Sequence, residues 1–176
     1  MKTLVIHPFD PTTEFLCPIY ANKNWTIIND PYYKKKLLIE EIISHDKIIM
    51  MGHGHPDGLF NSKNWNHNII EDIHVEYLRK KECVFIWCNA HKFVEKWGLK
   101  GFFTGMIISE PWEASWYAMK LKDNHIDDSN KLFARCIKKS IDKEPDKIVK
   151  YMKNRYKDKN NPVINFNSNN LFSITI

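Results

Sequence analysis

Long hydrophobic runs are what this sequence most plainly lacks. No apolar stretch in it approaches the roughly 20 residues that a membrane-spanning helix needs. The opening segment does not read as a secretory signal, because Lys2 is followed by only four apolar or small residues before His7 and Pro8. The cysteines, Cys17, Cys83, Cys88 and Cys136, form no CxxC pair and no even framework, so reduced thiols are expected. These absences predict a soluble, cytoplasmic chain with no membrane partner. Internal repeats are also missing, as is any linker that would divide the chain. The expectation is one α/β domain over 1–176, with a sheet core in 1–120 and C-terminal helices and an extended tail in 121–176.

Charge of one sign is not concentrated either. The formal net charge is +5, but the lysines around 138–159 alternate with Asp142, Glu144, Asp146 and Asp158. That is the pattern of solvated helix faces. No stacking or groove-reading motif accompanies it, so a nucleic-acid partner is not expected.

What is present is alternation. Apolar runs of strand length at 3–7, 25–29, 47–52, 83–87 and 102–108 are separated by segments of helical period at 33–45, 72–81, 90–97 and 111–120. Gly98 should close the third of these helices, and Pro111 suits the first turn of the fourth. Helices are predicted from 128 onward and at 145–157. The asparagine-rich tail should pack as an extended cover or edge strand. Strands that are apolar throughout, with helices between them, imply a mainly parallel five-stranded sheet covered on both faces: a three-layer, doubly wound α/β domain.

In such sheets ligands bind beyond the carboxyl ends of the strands. Four polar clusters follow predicted strands. They are His7, Asp10, Thr12 and Thr13; His53, His55 and Asp57; Cys88, Asn89 and His91; and Ser109, Glu110 and Glu113. Converging on one rim, they would form a site for a peptide or a small, nucleotide-derived ligand. Asp10 also reads as a helix N-cap with Pro11 behind it. Cys17, Cys83 and Cys136 lie in apolar patterns and read as packing residues. Trp65, Trp112 and Trp116, near predicted strand ends, are candidate pocket walls.

Three chemistries compete for these residues. The apolar strand ending in His53-Gly54 and the later strand ending in Cys88 resemble the caspase-like cysteine peptidases. The resemblance spans about residues 1–120 and implies an α/β sheet of caspase-like or flavodoxin-like architecture. It also implies Cys88 as nucleophile and His53 as acid/base, with the backbone N–H groups of Gly54 and Cys88 holding the oxyanion. A thiol at a strand-to-helix turn is expected to have its anion favoured by the helix dipole. The motif departs at Ile86 and Trp87, where the family carries a polar and a small residue, and Trp87 would crowd a specificity pocket. No cofactor is implied.

Second, Ser109-Glu110 and Glu113 after a strand resemble the nucleoside deoxyribosyltransferase-like group. There a glutamate would act on a sugar anomeric carbon and Trp112 or Trp116 would stack on a base. The same residues would serve a protein that only sequesters a nucleotide, and the plain alternative is an acidic helix start. Third, His53-x-His55-x-Asp57 resembles the zinc motif of the metallo-β-lactamase fold, although Gly58 stands where that motif has histidine.

Overall fold

The computed structural model of the chain describes residues 1–61 and 64–175, with the side chains of 64–66 outside the described set. In chain order, β1 (Thr3–Ile6), β2 (Thr26–Ile28), α1 (Lys35–Ser44) and β3 (Lys47–Met51) are followed by β4 (Gly54–His55), β5 (Gly58–Asn61) and β6 (Asn64–Ile70). Then come α2 (Val75–Leu78), β7 (Glu82–Ile86), α3 (Ala90–Trp97), β8 (Gly101–Thr104), α4 (Pro111–Ser115), α5 (His125–Ser140), α6 (Pro145–Arg155), α7 (Pro162–Asn169) and β9 (Leu171–Ile174). The main sheet has six strands in the order β2-β1-β3-β7-β8-β9. All its pairings are parallel except β8–β9, which is antiparallel. Strands β4, β5 and β6 form a separate small antiparallel sheet.

Side-chain alternation along each strand divides the core into two layers. Leu4, Ile6, Ile48, Met50, Cys83, Phe85 and Trp87 face a layer with Leu38 and Ile42 of α1, Leu78 of α2 and Phe93 and Val94 of α3. Val5, Ile49, Met51, Val84 and Ile86 face the other, with Leu16 and Ile19, Phe133 and Ile137 of α5, and Met152 of α6. Helices therefore cover both faces of a mainly parallel mixed sheet, as the uniformly apolar strands require. Among the described residues no helix is long and apolar enough to cross a membrane.

The structure corrects the expected elements in several places: the tail expected to be extended begins with the helix α7, the small sheet of β4–β6 was not expected, and the helix expected over 72–81 is reduced to Val75–Leu78. The sheet has a sixth strand, β9, drawn from the tail, so the sheet is not confined to 1–120; an edge strand was among the expectations for that segment. The strand expected at 102–108 stops at Thr104, because residues beyond it bond to the C-terminal segment instead of a neighbouring strand. Gly105 N donates to Asn170 O (2.8 Å), and Ile108 exchanges two bonds with the buried Asn167 side chain (2.8 and 2.9 Å). The helix expected over 111–120 ends at Ser115, and Ala118 has a left-handed φ of 49°. Residues Pro11–Ile19 wind as a 3-10 helix capped by Asp10, with Pro11 in its first turn. The capping role of Asp10, the closure of α3 by Gly98 in a left-handed conformation, and the place of Pro111 all match expectation.

The N-terminal edge of the sheet holds one buried cation. Lys47 is fully buried; its Nζ pairs with Glu82 and donates to Ile141 O (2.6 Å). This joins the starts of β3 and β7 to the end of α5. Removing one partner of a buried pair strands the other charge, and the cost is larger when the stranded charge is the fully buried ammonium than when it is the carboxylate that water reaches. Glu82 is about a third exposed, so water moderates the penalty. Glu82→Ala should cost about 2 kcal/mol and Lys47→Met about 1 kcal/mol or less, read as urea unfolding midpoints.

Candidate active site

The β3–β7 ladder fixes the site. Met51 pairs in register with Ile86, and both point to the α5 face. His53 and Cys88 stand two residues farther along each strand. Alternation directs both side chains to that same face, across a strand spacing of about 4.8 Å. Gly52 extends the ladder by one bond, from its N–H to Ile86 O (3.1 Å). Its φ of 141° is a left-handed-side value that a side chain would strain. His53 and Cys88 accordingly line one small cavity of about 20 Å³, together with Thr13, Phe15, Leu16, Ile107, Ser109 and Phe133. That volume admits about one water molecule.

The loop after β1 reaches His53. Asp10, as N-cap, accepts from Thr12 N (2.9 Å) and from Thr12 Oγ1 (2.5 Å). Thr12 Oγ1 lies 2.6 Å from His53 Nε2, and Asp10 Oδ1 is 4.0 Å from the same nitrogen. Beneath them His7 is fully buried between Tyr20 OH (3.1 Å) and Thr13 Oγ1 (3.0 Å). Burial, and next the charge of His53, lower its pKa to about 4. His7 and Thr13 are therefore engaged with one another beneath the rim.

Cys88 is half-buried as a residue, with its thiol directed inward. The thiol donates to Ile107 O (3.3 Å) and faces Glu113 Oε1 (3.9 Å). Burial, and then the Glu113 charge, push its pKa up to about 12. The expected stabilisation of the anion by the turn into α3 is thus outweighed, and the resting sulfur is a thiol. Glu113 is itself buried. Its Oε2 accepts from Ser109 N (2.7 Å), Ser109 Oγ (3.1 Å) and Glu110 N (3.0 Å), and burial raises its pKa despite these bonds. With Glu110 it forms a capping box at α4, and Glu110 also accepts from Trp112 Nε1 (2.8 Å). The role of Glu113 beside the thiol was not read from sequence; its only sequence signal was a glutamate three residues after another at a helix start.

Other expected members stand apart. His91 turns toward Phe172 of β9, with ring centroids 5.8 Å apart. Asn89 takes a left-handed φ of 65° as N-cap of α3, a conformation asparagine tolerates. The zinc set does not assemble as three: His55 Nδ1 and Asp57 Oδ2 are 3.9 Å apart, but His53 meets Thr12, His55 also meets Asn68 (3.1 Å) and stacks on Phe60, and Asp57 pairs with Lys96 (2.7 Å). Among the described residues no group of three metal-ligating side chains converges. Gly54 has its own packing reason to be glycine, since a Cβ there would overlap the Trp87 ring. The Trp87 indole is almost fully buried in the layer of α1 and α3, edge-on to Phe85 and Phe93, and its Nε1 donates to His55 O (3.1 Å). Trp112 and Trp116 are exposed and meet edge to face at 4.6 Å. The Trp65 side chain lies outside the described residues.

A cleft of about 1050 Å³ adjoins the small cavity and shares Phe15 and Ser109 with it. The 3-10 segment forms one wall and α5 the other, with Lys131, Arg135 and Lys138 on the α5 side.

Two outcomes follow from these electrostatics. Glu113→Gln keeps an acceptor for the cap and removes the charge beside the sulfur. Alkylation of Cys88 at pH 8–9, followed by peptide mass mapping, should speed up roughly threefold or more. For His7 the folded pKa lies below the unfolded one, near 6.5. Between the two the unfolded chain binds more protons, so stability rises with pH from about 4 to 6.5 and is level above. Relative to pH 7.5, His7 should cost about 2 kcal/mol at pH 5, and His7→Asn should flatten that part of the urea-midpoint profile. No protein-family model, curated protein or solved structure matches this chain.

Proposed function

We propose that the chain is a caspase-like cysteine hydrolase that cleaves an amide bond with Cys88 as nucleophile and His53 as acid/base. The observation that carries this reading is that adjacent parallel strands bring His53 and Cys88 to one cavity at their carboxyl ends. Strand order adds support. The five parallel strands run 2-1-3-4-5 when counted within the main sheet, the doubly wound, flavodoxin-like order whose switch point lies between the first and third strands. Asp10, Thr12 and His53 sit at that switch. The unpaired state of all four cysteines suits a reducing, cytoplasmic setting.

In the reaction, Cys88 Sγ bonds to the carbonyl carbon of the substrate as its proton passes to His53. The resulting oxyanion is held by the N–H groups of Gly54 and Cys88, an assignment taken from the family resemblance. The C–N bond then breaks, His53 returns the proton to the leaving amine, and a thioester remains. Water attacks the thioester, gives one proton to His53, and releases the acid; that proton restores the thiol. Because the resting thiol is protonated, His53 must accept its proton during attack. The peptide would lie in the large cleft and reach the thiol past Phe15 and Ser109, with the 3-10 segment or the α4 loop yielding to admit the amide.

The glutamate chemistry is less well supported, since the carboxylates of Glu110 and Glu113 are engaged at the start of α4. The deciding experiment is alkylation of Cys88 by iodoacetamide in wild-type protein and in His53→Ala. Assistance by the imidazole predicts a rate lower by about tenfold or more in the variant. Equal rates would remove the dyad.

A further inference from the structure

We infer that Asp10 and Thr12 are positioning residues that set the tautomer of His53. The proposal rests on the hydrolase reading only for its consequence, which is that Nδ1 is left as the basic nitrogen of the neutral ring. The argument is one of proton counting. The Thr12 hydroxyl has a single proton and stands between two partners, Asp10 Oδ1 at 2.5 Å and His53 Nε2 at 2.6 Å. A carboxylate only accepts. The hydroxyl proton therefore goes to Asp10, and the hydroxyl oxygen accepts from His53, which must carry its proton on Nε2. In the neutral ring the lone pair then falls on Nδ1.

The line is fixed at its far end. Asp10 is held in place by the backbone N–H of Thr12 (2.9 Å), as cap of the Pro11–Ile19 segment. The His53 and Asp10 side chains are 10% and 17% exposed, while Thr12, whose hydroxyl joins them, is exposed. Fixing the tautomer is a task an orienting acid performs for a catalytic histidine. Here a hydroxyl relays it.

The test reads the ring directly. Long-range proton–nitrogen correlation spectra of nitrogen-15-labelled protein, with the His53 signals identified by their loss in His53→Gln, report which nitrogen is protonated. At a pH where the ring is neutral, wild type should favour Nε2–H by roughly tenfold. Thr12→Val keeps the backbone cap and removes the relay; it should bring the two tautomers to within about threefold and slow Cys88 alkylation. Thr12→Ser restores the hydroxyl and should recover both. Protonation on Nδ1 in wild type, or a tautomer unmoved by Thr12→Val in protein with wild-type circular dichroism, would overturn the inference. Since the ring is observed itself, an alkylation rate indifferent to His53 would defeat the hydrolase and leave the tautomer result standing.

Discussion

The parallel register between β3 and β7 is the constraint on which the site depends. Once Met51 faces Ile86, parity sends residues 53 and 88 to one face and residue 87 to the other. A one-residue slip would reverse every assignment, burying the imidazole or the thiol in the wrong layer. That register is itself tightly specified, because both faces of the sheet are buried and each slip would exchange two differently shaped cores. The Lys47–Glu82 pair at the opposite end of the same two strands locks the start of the register whose end presents His53 and Cys88. Stability at one edge and chemistry at the other are thus properties of a single ladder.

The electrostatics describe a site at rest. The thiol is held protonated by burial and by Glu113, and the buried His7 is kept neutral below the ordinary titration range of histidine. The cavity that His53 and Cys88 both line holds only about one water. In the proposed hydrolase, burial and Glu113 would lower the reactivity of Cys88 before substrate enters. A substrate amide entering from the large cleft would replace water around Ser109 and Phe15, which border both spaces. Ser109 also donates twice to Glu113, so displacement at the cleft wall and the charge beside the sulfur are mechanically linked.

Much of this was legible in the sequence, for identifiable reasons. Uniformly apolar runs of strand length mark β1, β3 and β7, a period-3.6 pattern marks α5, and Asp10-Pro11, Gly98 and Pro111 act through local backbone chemistry that needs no tertiary partner. The elements that escaped have the opposite character. The small sheet of β4–β6 is rich in asparagine, which is depleted in strands, and α7 is a helix of poor formers. Asn161 caps α7 through Val163 N and Ile164 N, while Asn167 reaches Ile108, Ser129 and Tyr156. Residues that look like solvated tail thus become a buried polar network, visible only once three helices surround them. The sequence likewise offered Glu113 as a helix start, which it is. That its second oxygen faces Cys88 depends on where α4 docks, and no local pattern encodes that.

Trp87 turns an apparent objection into a structural reason. A bulky residue just before the cysteine looked as if it would block a specificity pocket. Parity instead places its indole in the α1 and α3 layer, on the face opposite the large cleft, where it meets Phe85 and Phe93. There the ring occupies the space that a side chain on residue 54 would need, and it ties down the chain after His53 through the bond to His55 O. Gly54 and Trp87 are therefore one packing solution shared between two strands. A small residue at 87 would leave a void beside Gly54 and loosen the turn that aims His53. The bulky residue at 87 and the placement of the proposed base have a common physical cause.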